Sequence, residues 1–262
     1  MLNGKSHETV LLSLKTEEER LKWCDAFMEV IQGVLIKYDT VFPRPFRNSS
    51  PLKVTYSETV EAHDSVALSP EDTCKIPKVQ FHGAEGSLYS LLLFDIDYPS
   101  RHHPSERKHV HWMIVNIPGS GALTNAASGQ TVLPYLVVAP FHGSGLHRYV
   151  FLLFKQSVHF DGKQVINLEM FNRKKADIDN LTLTYGLGSP IGINVFESQW
   201  TSFVDTFHEE YSFIPPAEYL SPTQRSKIAE REKESLLLLE ATEDFGDKTS
   251  CSLFCFPLTA SY

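Results

Sequence analysis

Three short clusters in the sequence carry the side chains that can do chemistry. Asp95 and Asp97 precede a proline-broken run, Y-P-S-R, from Tyr98 to Arg101. His109 and His111 open the run H-V-H-W-M-I-V-N-I-P-G, which ends at Gly119. His147 and Tyr149 follow the glycine-flanked Gly143-Ser144-Gly145 and lead into V-F-L-L-F-K-Q, ending at Gln156. In a strand, residues two apart share a face, so Asp95 is expected beside Asp97, His109 beside His111 and His147 beside Tyr149. A His-x-His pair with carboxylates suits zinc or iron. The same histidines, with a phenol and a hydrogen-bonded carboxyl, can instead line a small pocket for an anion such as phosphate. A third reading needs no site at all: histidines at strand ends bond to the backbone. Gly143-Ser144-Gly145 does not match the G-x-S-x-G nucleophile turn, which argues against a serine hydrolase.

These clusters need strands to hold them. Short apolar runs bounded by turn residues are expected to be strands at Leu52 to Tyr56, Lys78 to Phe81, Leu88 to Asp95, His111 to Ile117 and Tyr149 to Phe154. Weaker candidates lie at Val165 to Leu168 and Leu181 to Tyr185. Strands in series without alternating helices argue for an antiparallel, β-rich domain. Leu91 to Phe94 is wholly apolar, so its strand is expected to be central and covered on both faces. In the stretch from His147, alternation places His147, Tyr149, Phe151 and Leu153 on one face and Arg148, Val150, Leu152 and Phe154 on the other.

Helices are expected outside that block. Thr16 to Glu19 forms a capping box, and Leu21, Cys24, Met28, Ile31, Leu35 and Tyr38 follow at steps of three and four. Pro43, Pro45 and Pro51, with Asn48, Ser49 and Ser50, read as a linker. Phe196, Trp200, Phe203, Val204 and Phe207 suggest a helix from Ile191 to Tyr211, ended by Pro215 and Pro216. Ser221-Pro222-Thr223-Gln224 supplies a cap, a first-turn proline and a capping-box glutamine for a charged helix running toward Glu240. The tail beyond Gly246 carries an apolar patch from Leu253 to Leu258, which hints at docking. The organisation expected is an N-terminal extension over 1–51, a main domain over 52–214 and a C-terminal extension over 215–262.

Composition narrows the classes. The formal net charge of -8 leaves the chain as a whole without an electrostatic footprint for nucleic acid, so any RNA contact is local. Cys24, Cys74, Cys251 and Cys255 form neither C-x-x-C pairs nor a dense framework, which favours reduced thiols. No apolar run approaches the roughly 18 residues that span a bilayer. No secretory or mitochondrial leader is visible at the N-terminus.

Taken in order, D-x-D-x-P-S-R, then H-W-x-x-x-N-I-P-G, then G-x-G-x-H-R-Y, resemble the phosphatidylethanolamine-binding protein family. Y-G-L-G-S-P from Tyr185 to Pro190, and Phe196 with Trp200, are similar to that family's closing segment. The resemblance runs from about Leu52 to Tyr211. It implies a mainly β fold: a large antiparallel sheet, a smaller second sheet and peripheral helices, with an anion pocket at one end. Residue by residue, it puts Asp95, His111, His147 and Tyr149 in that pocket, an inherited feature, with Pro99 shaping the wall. Two departures stand out. Ile96 occupies a position where the family has proline, and Ala139-Pro140-Phe141 replaces a glycine-proline-proline segment, adding a bulky ring.

Within the family, A-E-G-S-L-Y-S-L-L-L from Ala84, H-W-M-I-V-N-I-P-G from His111 and F-L-L-F-K-Q from Phe151 are most similar to the branch carried in the large subunit of mitochondrial ribosomes. That resemblance implies a non-catalytic structural component supporting mitochondrial translation in the matrix, with no cofactor, no bound metal and no membrane contact. Its partners would be neighbouring ribosomal proteins, met through the N-terminal helix and C-terminal tail. Ribosomal RNA would contribute a few phosphates, met by Arg173, Lys174 and Lys175. A free anion- or phospholipid-binding regulator is the alternative, and a metal-dependent enzyme comes last.

Overall fold

The computed structural model describes residues 50–63, 66–106, 108–160, 173, 187 and 190–243. The expected N-terminal helix, the strand candidates near 165–168 and 181–185, and the apolar tail patch lie outside the described residues. The chain divides into two compact units, Met1–Thr201 and Ser202–Tyr262. The division falls inside the expected 52–214 domain.

The first unit is built from strands. Among the described residues they are β1 (Lys53–Thr55), β2 (Glu61–Ala62), β3 (Lys78–His82), β4 (Leu88–Asp95), β5 (His109–Pro118), β6 (Leu123–Asn125), β7 (Gln130–Leu133), β8 (His147–Gln156) and β9 (Pro190–Ser198). A five-stranded sheet runs β7-β5-β4-β8-β9 and a four-stranded sheet runs β2-β1-β3-β6. Every pairing within them is antiparallel. The antiparallel, β-rich fold is the one expected from the strand pattern, and its division into a larger and a smaller sheet is the one the family resemblance implies.

The apolar strand β4 takes the centre of the large sheet, as its sequence requires. Alternation divides its side chains between two cores. Tyr89, Leu91 and Leu93 join Val54, Val79 and Phe81 of the smaller sheet. Leu92 and Phe94 face the other way, with Met113, Leu152 and Val195. Strand β8 divides as expected, Tyr149, Phe151 and Leu153 into the first core and Val150, Leu152 and Phe154 into the second. Leu92 is fully buried, and truncating such a leucine to alanine costs about 2–5 kcal/mol.

One expected element is wrong. Ile191 to Tyr211 is not a single helix: Pro190–Ser198 is a strand, and the helix, α1, covers only Ser202–Glu210. The β-branched Ile191, Ile193 and Val195 alternate with Gly192 and Asn194, a spacing that suits a pleated strand beside β8. Asn194 Nδ2 donates to the carbonyls of Leu52 and Ala62 at 3.1 and 2.8 Å, fixing β9 to the segment carrying β1 and β2. The three-to-four spacing of Phe196, Trp200 and Phe203 therefore spans a strand-to-helix junction and not a helix face.

In the second unit, α1 is followed by α2 (Pro222–Glu243). Its cap forms as the sequence predicts: Gln224 N donates to Ser221 Oγ at 3.1 Å and Ser221 N donates to Gln224 Oε1 at 3.0 Å. Ser221 Oγ also donates to Asp205 Oδ2 of α1 at 2.5 Å, so the cap ties the two helices together. From Ala229 to Leu238 the side chains of α2 are exposed, including Leu236, Leu237 and Leu238.

Candidate functional site

The expected site residues converge at one end of the large sheet. Asp95 closes β4, with His109 of β5 and Tyr149 of β8 as its cross-strand neighbours. His147 opens β8 directly after a loop in which Gly143 and Gly145 have φ of 72° and 88°. Glycine adopts those values without the clash a Cβ would bring. The resulting turn brings the buried Ser144 back to its own strand: Ser144 Oγ donates to the Phe141 carbonyl at 2.7 Å and lies 2.9 Å from His147 Nε2. His147 Nδ1 lies 2.7 Å from Asp95 Oδ2, and Asp95 Oδ1 accepts from Asp97 N at 2.7 Å. His111 stands edge-on to Tyr149 at 5.2 Å between ring centroids and shares its Nδ1 proton with the Leu136 carbonyl at 3.0 Å.

Burial shapes the charges. It would push the Asp95 carboxyl up, but the charge and hydrogen bond of His147, with help from His111 and the Asp97 N–H, outweigh it and hold the group below its ordinary range. Burial lowers His111 to about 4, only partly opposed by the Asp95 charge. Burial, then the Asp95 carboxylate, raise the Tyr149 phenol well above its ordinary value. At neutral pH the box therefore holds an ionised Asp95, a neutral His111 with its Nδ1 proton on the backbone, and a Tyr149 that keeps its proton.

Not every residue lands where the strand period put it. Asp97 does not stand beside Asp95 as a second acid: β4 ends at Asp95, and the bend after it sends Asp97 to Arg148. There it accepts from Arg148 N, Nε and Nη2 at 3.0, 2.7 and 2.5 Å, a bidentate pair. His109 does lie near His111, at 5.2 Å between centroids, and packs 4.3 Å from the Tyr98 ring. Pro99 follows Tyr98 through a cis peptide. Arg173, expected at an RNA phosphate, is turned inward: its guanidinium donates to the carbonyls of Val110, His111 and Pro134 at 3.1 Å each. Lys174 and Lys175 lie outside the described residues. Among the described residues no three His, Cys, Asp or Glu side chains are grouped to hold a metal ion. No helix there is long and apolar enough to cross a membrane.

Two hydroxyls were missed from sequence. Ser144 had a signal, its place three residues before His147 within the glycine-flanked turn. Ser198 had none, because reading Ile191 to Tyr211 as a helix concealed its face. In the strand, Ser198 is directly opposite His147. Its Oγ is buried and meets no hydrogen-bond partner among the described residues.

Comparison with known proteins agrees with the fold. Residues 45–186 match the family described as Phosphatidylethanolamine-binding protein. The chain is 32% identical over 155 residues to CEN-like protein 1 of Nicotiana tabacum, covering 59% of this chain and 83% of that protein. Among solved structures, the fold is similar to a carboxypeptidase Y inhibitor seen with its cognate proteinase, with a TM-score of 0.56 at 21% identity over 68% of this chain and 94% of that one. It is also similar to a phosphatidylethanolamine-binding protein from Plasmodium vivax, with a TM-score of 0.53 at 21% identity, covering 66% and 97% of the two chains. At that identity both structures speak for the fold alone.

Proposed function

Because the chain belongs to the phosphatidylethanolamine-binding protein family, we propose that it uses the family's domain as a non-catalytic scaffold within a larger assembly, the large subunit of the mitochondrial ribosome. The observation that carries the scaffold reading is the inward pairing of the polar box. Ser144, His147 and Asp95 have the connectivity of a nucleophile, base and orienting acid, yet the Ser144 hydroxyl is buried and directs its proton to the Phe141 carbonyl, away from His147. His111 is tied to the backbone through Nδ1 and Asp97 is held by Arg148. What would be machinery in an enzyme is framework.

Support for the assembly comes from outside the matched range. Helix α2 lies beyond residue 186, and its exposed Leu236, Leu237 and Leu238 are too apolar a turn to face water unaccompanied. Support for the ribosome comes from the motifs beginning at Ala84, His111 and Phe151, whose wording is most similar to the ribosomal branch. Protein neighbours would dominate, in keeping with a net charge of -8 and with Arg173 turned inward. Cross-linking mass spectrometry on intact mitochondria tests this through Lys227 and Lys233 on α2. The expected result is links to other large-subunit proteins; links only within the chain would count against the reading.

A second reading, a free anion-binding regulator, is favoured by one detail: Ser198 Oγ lies buried opposite His147 without a partner among the described residues. Co-purification with phosphate or a phospholipid headgroup, detected in the denatured extract of the purified protein, would support it.

A further inference from the structure

Helix α2 changes character along its length. From Arg225 to Lys233 bases and acids mix, Arg225, Lys227, Arg231 and Lys233 with Glu230 and Glu232, all of them exposed. A helix stretch that is polar on every side is at home in water. Beyond Lys233 the composition switches. Leu236, Leu237 and Leu238 are 60%, 55% and 68% exposed, so none of them is covered by its own chain's described residues. The only charged residues from there to the helix end are Glu234, Glu240 and Glu243, and the last turn holds no base.

This end of the helix makes two physical demands. Successive helix residues lie about 100° apart around the axis, so the three leucines span about 200° of the circumference. A flat sheet or a coiled-coil seam takes up one stripe of a helix and would leave a leucine in water. Covering all three takes a socket that wraps the helix end. The second demand is charge. The C-terminal end of a helix carries the partial negative charge of its last carbonyls, which a nearby base ordinarily offsets. Here Glu240 and Glu243 add to it.

We propose that the end of α2 seats in an apolar socket rimmed by lysine and arginine on a neighbouring basic protein. The leucines fill the socket, and the rim supplies the cations that the helix end lacks. This rests on the reading of the chain as part of a larger assembly, and it names the chemistry of the partner. Charge ranks the other occupants below it. RNA phosphates and anionic lipid headgroups are repelled by the same acids, and a second copy of this chain brings a net charge of -8 of its own. The chain's own apolar stretch from Leu253 to Leu258 contains no base.

The test places the photo-crosslinking residue p-benzoylphenylalanine in place of Leu237 in the full chain expressed in cells. After irradiation, mitochondrial large subunits are isolated on a sucrose gradient and the crosslinked peptide is identified by mass spectrometry. The expected result is a crosslink to a protein of the subunit, at an apolar segment flanked by lysine or arginine. Glu240→Lys/Glu243→Lys is expected to lower the crosslink yield about tenfold, because like charges then face each other across the interface. Glu58→Lys/Glu85→Lys makes the same change of net charge at exposed positions of the first unit and is expected to leave the yield unchanged. An unchanged Tm of each purified variant separates lost docking from lost folding. If the helix-end variant melts early, Glu234→Lys replaces it, with Glu58→Lys as its control. For a chain present in the large-subunit fraction, a crosslink to RNA, to lipid, to a second copy or to residues 246–262 overturns the proposal and leaves the assembly reading standing. So does the absence of any crosslink, or a yield that the helix-end variant lowers no more than its control. A chain absent from that fraction overturns both together.

Discussion

Oδ2 of Asp95 lies 2.7 Å from Nδ1 of His147, and each side chain is only 1% exposed. Removing one partner of a buried hydrogen bond to an ionised carboxylate leaves the other unsatisfied, at about 1–3 kcal/mol. Asp95→Asn is therefore expected to destabilise the first unit by that amount, measured by urea unfolding. A loss within about 0.5 kcal/mol, as at an ordinary surface position, would show that the pair does not hold the box.

Acid should weaken the fold in two stages. His111 and His208 both have folded values lowered to about 4 from 6.5, each mainly by burial. Between those values the unfolded chain binds protons that the folded chain refuses, so stability falls as pH drops from 6.5 to 4, by at most roughly 3 kcal/mol per histidine. Asp95, depressed below 3.8, makes a contribution present above that value and lost only as pH falls through its lower folded value. Melting curves from pH 7.5 to 4 should show a falling Tm, with a shallower fall in His111→Gln. A flat profile over that range would contradict the burial of both imidazoles in neutral form.

The cap of α2 carries more than one helix turn. Ser221 Oγ accepts from Gln224 N and donates to Asp205 Oδ2. Ser221→Ala removes both bonds and should cost about 1–3 kcal/mol, the cap and the deprived carboxylate together. Hydrogen exchange should report it as faster exchange of the α2 amides after Ser221. Unchanged protection there would mean the cap is dispensable.

At the other end of β5, Asn116 has φ of 55°, and its side chain bonds Phe160 through both Nδ2 and Oδ1, at 2.8 and 2.9 Å. Asn116→Ala keeps the strained backbone and removes the bonds from Phe160 N and Gln156 Nε2 to Oδ1, although Gln156 Nε2 still donates to the Val158 carbonyl at 3.0 Å, for an expected loss of about 1–3 kcal/mol. Asn116→Gly relieves the backbone but not the hydrogen bonds and should fall between alanine and wild type. A glycine variant less stable than the alanine variant would refute the assignment of backbone strain.

Much of this was legible in the sequence because apolar alternation is a direct record of burial. Leu88 to Asp95 reads as a central strand and is one, and the two faces of β8 fall into two cores as its period demands. Three residues of the box, Asp95, His147 and Tyr149, sit on or at the ends of those two strands, so their convergence followed from the same signal. The failures arise where one local pattern admits two structures. Phe196, Trp200 and Phe203 are spaced like a helix face, yet cross-strand pairing with β8 decides the conformation of Pro190–Ser198. Asp97 is two residues from Asp95, but the period of two ends with the strand. Arg173 looks like a free cation beside two lysines, and only the tertiary fold brings three carbonyls to its guanidinium. Short strands such as Glu61–Ala62 and Leu123–Asn125 hold too few residues to show any period.

The proposed ribosomal role stands or falls most directly on sedimentation. Mitochondrial lysate from cells expressing the tagged full chain is resolved on a sucrose gradient, and the chain is followed against large-subunit and small-subunit markers. The account predicts that the chain peaks with the free large subunit and the assembled ribosome, and that a version truncated after Tyr219, lacking α2, moves toward the top. Full-length protein found only in the light fractions, with none in the large-subunit peak, would contradict it.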